Sequence, residues 1–166
     1  IKKNNSKHPE QIPFFLSDIY PRIELTDIIS ISFGKEHTIW ITENGTLYAI
    51  GDNTKGQISG SISKEILKTP TKITFDNKNF RFSSVVSGDH YVLYLTLSDH
   101  PQLLLVNSLI NDGNPTVIPL LENQIPVSLF GGDQNCGIVD STGSSIIISN
   151  MNDPTILYLS LPNDEK

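Results

Sequence analysis

The sequence has almost no cysteine, no long apolar run and, over half its length, almost no basic side chain. Cys136 is the single cysteine in 166 residues, so no disulfide framework can hold the fold, and a reducing, intracellular compartment is the expectation. No stretch approaches the roughly 18 consecutive apolar residues that a membrane-spanning helix needs. The opening Ile1-Lys2-Lys3-Asn4-Asn5 has no signal-peptide core. Closely spaced ligand pairs such as Cys-x2-Cys or His-x3-His are missing, which removes the usual signature of a metal site. Gly-x-Ser-x-Gly is missing too, and Ser141 to Ser145 reads as a turn rather than a nucleophile elbow. No motif singles out a nucleophile, a base and an orienting acid, so neither catalysis nor a cofactor is expected. What remains, 37% hydrophobic and 18% charged residues, is enough for a packed core.

Charge is distributed unevenly. Eleven of the 12 Lys and Arg fall in residues 1–81 and the twelfth is Lys166, while the 18 acids divide nine and nine. The first 81 residues therefore carry +2 and the remaining 85 carry −8. Nucleic-acid binding depends on Lys and Arg displacing counterions, so the second half would repel phosphate backbones. A basic protein surface is the natural complement. The second half is expected to present an acidic rim: Asp89, Asp99, Asp112, Glu122, Asp133, Asp140 and Asp153 stand beside expected turns, and Asp89, Asp99 and Asp133 are candidate contacts, although solvated acids that only keep loops soluble would look the same.

What is present is a repeat. Matching Gly34 to Gly132, an offset of 98, places Gly45 on Gly143, His37 on Asn135, and Thr46 to Ile50 on Ser144 to Ile148 without a gap. A middle copy is expected to begin at Ser87, with His90 in the place of His37. Pro70-Thr71, Pro115-Thr116 and Pro154-Thr155 each precede an apolar segment and mark the same register. Repeats of this size indicate units that bury their apolar faces only against one another. Ile29, Ile31 and Phe33 alternate with serines, and Ile39 and Ile41 alternate with Thr38, Trp40 and Thr42, the period of a half-buried strand. Asn44-Gly45 between two apolar runs predicts a type I′ hairpin. With the Pro-Thr segment as a fourth strand, each copy reads as a four-stranded antiparallel propeller blade.

Gly34-x-x-His37-Thr38 followed by Thr42-Glu43-Asn44-Gly45-x-Leu47-Tyr48-x-x-Gly51-Asp52-Asn53-x-x-Gly56-Gln57-Ile58 resembles the repeat of the regulator of chromosome condensation family. The resemblance covers roughly residues 28–161 and is concentrated in the first third, where Ile50 and Ser59 depart from the usual pattern. It implies an all-β fold, a partial β-propeller of about three blades belonging to a seven-bladed ring. The expected division is 1–27 as an N-terminal tail or the last strand of a preceding blade, then 28–81, 82–125 and 126–166 as blades. Three blades cannot close a ring, so the remaining ones are expected from a longer parent chain or a second chain.

The residues that recur are expected to be structural. Asp52-Asn53 and Gly56-Gln57 read as turn formation and backbone capping, and a calcium loop lacks its alternating ligand series. His37 and His90 lie in different blades, so each is expected to bond a neighbouring strand rather than chelate. Trp40 and Tyr48 are expected to fill space between sheets. The insert Ser59 to Thr69, with Lys64 and Lys68, is a candidate contact surface; Ser63 could cap one helical turn there, or the insert could be an ordinary loop. The pattern points to a protein-interaction scaffold. The resemblance implies, alternatively, guanine nucleotide exchange on a Ran-type small GTPase, and a third reading is a structural component of a large assembly.

Overall fold

A computed structural model describes residues 27–60, 62–75 and 79–159. It contains twelve strands: β1 Ile28–Phe33, β2 His37–Thr42, β3 Leu47–Asp52, β4 Ile66–Lys72, β5 Phe82–Ser87, β6 Tyr91–Thr96, β7 Leu103–Asn107, β8 Thr116–Ile118, β9 Pro126–Gly131, β10 Asn135–Asp140, β11 Ser145–Ser149 and β12 Thr155–Leu159. They form three antiparallel sheets, β1-β2-β3-β4, β5-β6-β7-β8 and β9-β10-β11-β12, each in chain order. The fold is thus a run of three propeller blades. The expected tail or preceding strand at 1–27 lies outside the described residues but for Asp27.

The central blade explains the arrangement. All six residues of β6 and all five of β7 are buried, the near-continuous apolar pattern of strands covered on both faces. Alternate side chains enter different cores because successive residues of a strand point to opposite sides. Val92, Tyr94, Leu104 and Val106 join Ile39, Ile41, Leu47 and Ala49 in the core between blades 1 and 2. Tyr91, Leu93, Leu103 and Leu105 join Cys136, Ile138, Ile146 and Ile148 in the core between blades 2 and 3. Phe75, Phe82 and Tyr94 meet at tilted or edge-on angles, with ring centroids 5.4 to 5.7 Å apart.

The outer faces differ. Ile29, Ile31 and Phe33 are 48%, 50% and 69% exposed, so the alternation of β1 places its serines, not its apolar residues, toward blade 2. Ser30 Oγ accepts from the Val85 backbone N–H at 3.4 Å and Ser32 Oγ from Ser87 N–H at 2.9 Å, joining the innermost strands of two blades. Trp40 is buried and stacks on Tyr48 at 6.0 Å. Both lie on the face opposite Ile39 and Ile41, not between the described sheets as expected. On the far side of blade 3, Phe130 and Leu157 are exposed.

Two turns correct the expectations. Among the non-glycine residues with positive φ, Asn44 is absent, whereas Gly45 has φ +77. The Asn44-Gly45 hairpin is therefore not type I′. It is a three-residue loop closed by Thr42 N–H to Thr46 O at 3.0 Å, with Gly45 N–H donating to Thr42 O at 2.7 Å, a turn whose last position needs the left-handed region. Asp140, Gly143 (φ +84) and Ser144 repeat it. In blade 2 the loop lengthens to five residues between Thr96 and Gln102. Among its described residues the insert Ser59 to Thr69 contains no helical turn: β4 begins at Ile66, and Ser59 is fully buried.

Leu93→Ala and Leu104→Ala each open a cavity on one face of the central blade and should cost about 2–5 kcal/mol. Ile31→Ser, on the exposed face of blade 1, should change stability by less than about 0.5 kcal/mol. Urea unfolding of the three variants separates these outcomes.

Candidate functional site

Antiparallel pairing in chain order sends alternate connections to opposite ends of the blades. At one end lie the turns 34–36, 88–90 and 132–134 and the loops 53–65, 108–115 and 150–154. Asp52 N–H donating to Glu36 O at 2.8 Å, and Ser108 N–H to His90 O at 2.9 Å, tie turn to loop there. The other end holds the loops around Asn44, Asp99 and Thr142, where Arg81 Nε donates to Asn44 O at 2.8 Å.

The structure aligns the three turns one residue away from the expected register in blade 2. Gly34 N–H donates to His37 O at 2.8 Å, Gly88 N–H to Tyr91 O at 3.0 Å, and Gly132 N–H to Asn135 O at 2.9 Å. Gly88, not Ser87, matches Gly34 and Gly132. Tyr91, not His90, stands in the place of His37. The Tyr91 hydroxyl spans the joint to blade 3, donating within reach of Gly132 O at 2.6 Å and Asn135 O at 2.9 Å. His90 is half-buried and contributes its carbonyl, which accepts from Ser108 N–H and Oγ.

His37 is 4% exposed and neither ring nitrogen has a hydrogen-bond partner, so the expected bond to a neighbouring strand is not made. Burial lowers its pKa from the ordinary 6.5, with the carboxylates of Asp52 and Asp89 pulling weakly the other way. The ring packs against the Gly34 turn, where a Cβ at Gly34 would also meet Gly88 O of the next blade. The same logic makes Cys136 inert: burial pushes its thiol up to about 12.

Asn53 organises the loop that follows β3. Its Nδ2 donates to Ser59 O and Ser63 O, both at 3.0 Å, and its Oδ1 accepts from Ile58 N–H at 2.9 Å and Ser59 N–H at 3.2 Å. Asp52 Oδ1 accepts from Thr54 N–H at 2.8 Å, which lowers the carboxyl's pKa, and Gln57 Oε1 accepts from Lys55 N–H at 2.9 Å. Gly51, at φ +109, lies so close to Glu36 O that a Cβ would collide with it. Gly56 lies against Asp112 O of blade 2.

The candidate contact residues are dispersed. Lys64 pairs with Asp112 at 3.3 Å and Asp89 with Lys35 at 3.5 Å, so part of their charge is answered within the chain. Lys68 is exposed on β4. Asp99 is exposed at the opposite end from Asp89 and Asp133, so the three do not make one rim. Asp133 lies at the same end as Asp112 and Asp153, two further acids of the expected rim. Among the described residues no group of three His, Cys, Asp or Glu could hold a metal ion. No helix among them is long and apolar enough to cross a membrane.

Comparison with known proteins finds family matches within residues 28–95. The profile described as the regulator of chromosome condensation (RCC1) repeat matches residues 28–57, and a second of the same description matches 44–95. An RCC1 repeat-containing protein of Schizosaccharomyces pombe is 36% identical over 73 residues, 44% of this chain and 20% of that protein. Human WBSCR16 superposes with a TM-score of 0.62 at 15% identity, over 78% of this chain and 37% of that one. Prp20p from Saccharomyces cerevisiae gives 0.56 at 18%, over 83% and 39%. At such identities the structural likeness concerns the fold alone, and the chain spans between about a fifth and two fifths of these relatives.

Asn53→Ala strands four backbone groups, three of them buried, and should cost about 2–4 kcal/mol, read from chemical denaturation. For His37 the folded pKa lies below the unfolded one, so the unfolded chain takes up the proton first. Its contribution is present above pH 6.5 and is lost as pH falls below that value. The thermal midpoint should drop between pH 7 and 5, and the drop should shrink in His37→Asn, which installs the residue of blade 3.

Proposed function

We infer that this chain, whose residues 28–95 carry RCC1 repeats, acts as a non-catalytic protein-interaction module that presents one acidic end of its blades to a basic partner. A single observation carries this reading. In blades 2 and 3 the end formed by residues 88–90, 108–115, 132–134 and 150–154 bears Asp89, Asp112, Asp133 and Asp153 and no Lys or Arg. Asp133 and Asp153 have no ion-pair partner among the described residues. Residues shared between the copies are engaged in turns and joints, which leaves the unshared loops for recognition. Nucleic acid is disfavoured at such an end.

The uncovered apolar side chains, Ile31 and Phe33 on blade 1 and Phe130 and Leu157 on blade 3, suit further blades from the same parent chain or a second chain. A second reading, nucleotide exchange on a Ran-type GTPase, draws on the repeat match and on Prp20p, whose structure is described with its binding properties to Gsp1p and histones.

The double substitution Asp133→Lys and Asp153→Lys should reduce recovery of the chain's protein partners in affinity purification at least tenfold, with circular dichroism unchanged. Undiminished recovery would remove the acidic-end reading. In a nucleotide-release assay the chain should leave the rate of a Ran-type GTPase unaltered; acceleration would favour the second reading.

A further inference from the structure

The two joints between blades are filled differently at their acidic end. The loop from β3 to β4 has thirteen residues, 53–65, while its counterparts have eight, 108–115, and five, 150–154. The long loop drives Ile58 fully into the first joint, where the Tyr94 hydroxyl donates to Ile58 O at 2.9 Å and Gly60 N–H donates to Gly113 O at 2.7 Å. In the second joint the shorter loops meet through Asn107, whose Nδ2 donates to Met151 O at 2.7 Å. Beside that bond lies an open apolar cleft of about 220 Å³. Buried Leu105, Ile118 and Ile148 form its depth, and Ile110, Asn114 and Pro154 form its mouth.

Asp153, which has no ion-pair partner among the described residues, is a free charge beside the mouth. Asp112 lies between Ile110 and Asn114 in sequence, Asp153 precedes Pro154, and no Lys or Arg occurs between residues 82 and 159. Asp112 faces blade 1, where its carboxylate pairs with Lys64 at 3.3 Å and its carbonyl lies against Gly56. The volume is below the roughly 300 Å³ at which small-molecule sites begin, and it suits one side chain. Interfaces gain most from a single apolar anchor in such a pocket, while surrounding charge sets orientation and encounter rate.

We propose that the cleft between blades 2 and 3 receives one leucine-sized apolar side chain from a partner peptide that carries Lys or Arg beside it. This rests on the reading of the chain as an interaction module and names its contact. The apolar walls select the anchor by excluding water from it, and Asp153 disfavours peptides with flanking acids.

The probe is the nine-residue peptide Gly-Ser-Lys-Arg-Leu-Lys-Arg-Ser-Gly, titrated into the 166-residue chain with its isoleucine methyls labelled for NMR. The methyls of Ile110, Ile118, Ile148 and Ile156 should shift together and saturate. Replacing the peptide's leucine by alanine, or its four bases by glutamate, should weaken binding at least tenfold. Asn114→Trp, which places an indole at the mouth, should do the same, whereas His100→Trp, with the same indole at the opposite end of the blades, should bind as the parent does; the methyl spectrum of each variant reports its fold. No shift at these four methyls, equal binding of the alanine peptide, or full binding by a folded Asn114→Trp would each overturn the proposal. If the cleft stays silent while Asp133→Lys with Asp153→Lys still loses its partners, the cleft fails and the acidic end stands. Failure of both tests removes the interaction reading itself.

Discussion

A four-stranded blade has two apolar faces and cannot cover either of them alone; every other feature of the chain follows from that constraint. Blade 2 satisfies it completely, with Tyr91 and Leu93 on one side and Val92 and Tyr94 on the other reaching separate cores. Burial at this scale, roughly 25 cal/mol for each Å² of apolar surface removed from water, dominates the favourable side of folding. Blades 1 and 3 satisfy it on one side each. Stability is therefore a property of joints between neighbours rather than of single repeats, as in other stacked architectures.

Polar chemistry at the joints fixes which blade meets which loop. Serine hydroxyls on β1 accept from backbone N–H groups of β5, groups that would otherwise lie unpaired at the inner edge of a sheet. Tyr91 performs the corresponding task between blades 2 and 3 through its hydroxyl. Asn53 and Asn107 both use a side-chain amide to replace missing backbone partners, one within its own loop and the other across to Met151. The shared requirement is satisfaction of buried polar groups, and different residue types meet it in different blades.

That substitution of one solution for another sets the limit of what the sequence could reveal. Strand periodicity, the glycine-bearing hairpins at Gly45 and Gly143, and the Gly51 to Gln57 string were legible because their physics is local. The offset of 98 between blades 1 and 3 placed Asn135 on His37 correctly for the same reason. Blade 2 misled by one residue because Ser87-Gly88 and His90-Tyr91 each offer a plausible match, and a polar residue at His90 resembles His37 more closely than a tyrosine does. Only the Gly88 to Tyr91 bond, closed in three dimensions, decides the register. The pairing of Asp89 with Lys35 was equally hidden, since 54 positions separate partners that a blade joint brings within 3.5 Å.

Loop length is the quantity through which these constraints reach recognition. Strand pairing fixes the ends of β3 and β4, β7 and β8, and β11 and β12, so residues can be gained or lost between them at a small cost in closure entropy. A longer loop can fold back and fill the joint, as Ile58 does. A shorter one leaves the joint's outer half uncovered while the strands beneath it remain packed. Residues 108–115 and 150–154 are thus free to carry Asp112 and Asp153 outward without disturbing Ile118 and Ile148 below. The shorter loops leave one joint less filled than the other, and the proposed binding surface is the consequence of that difference, on strands that pair alike in all three blades.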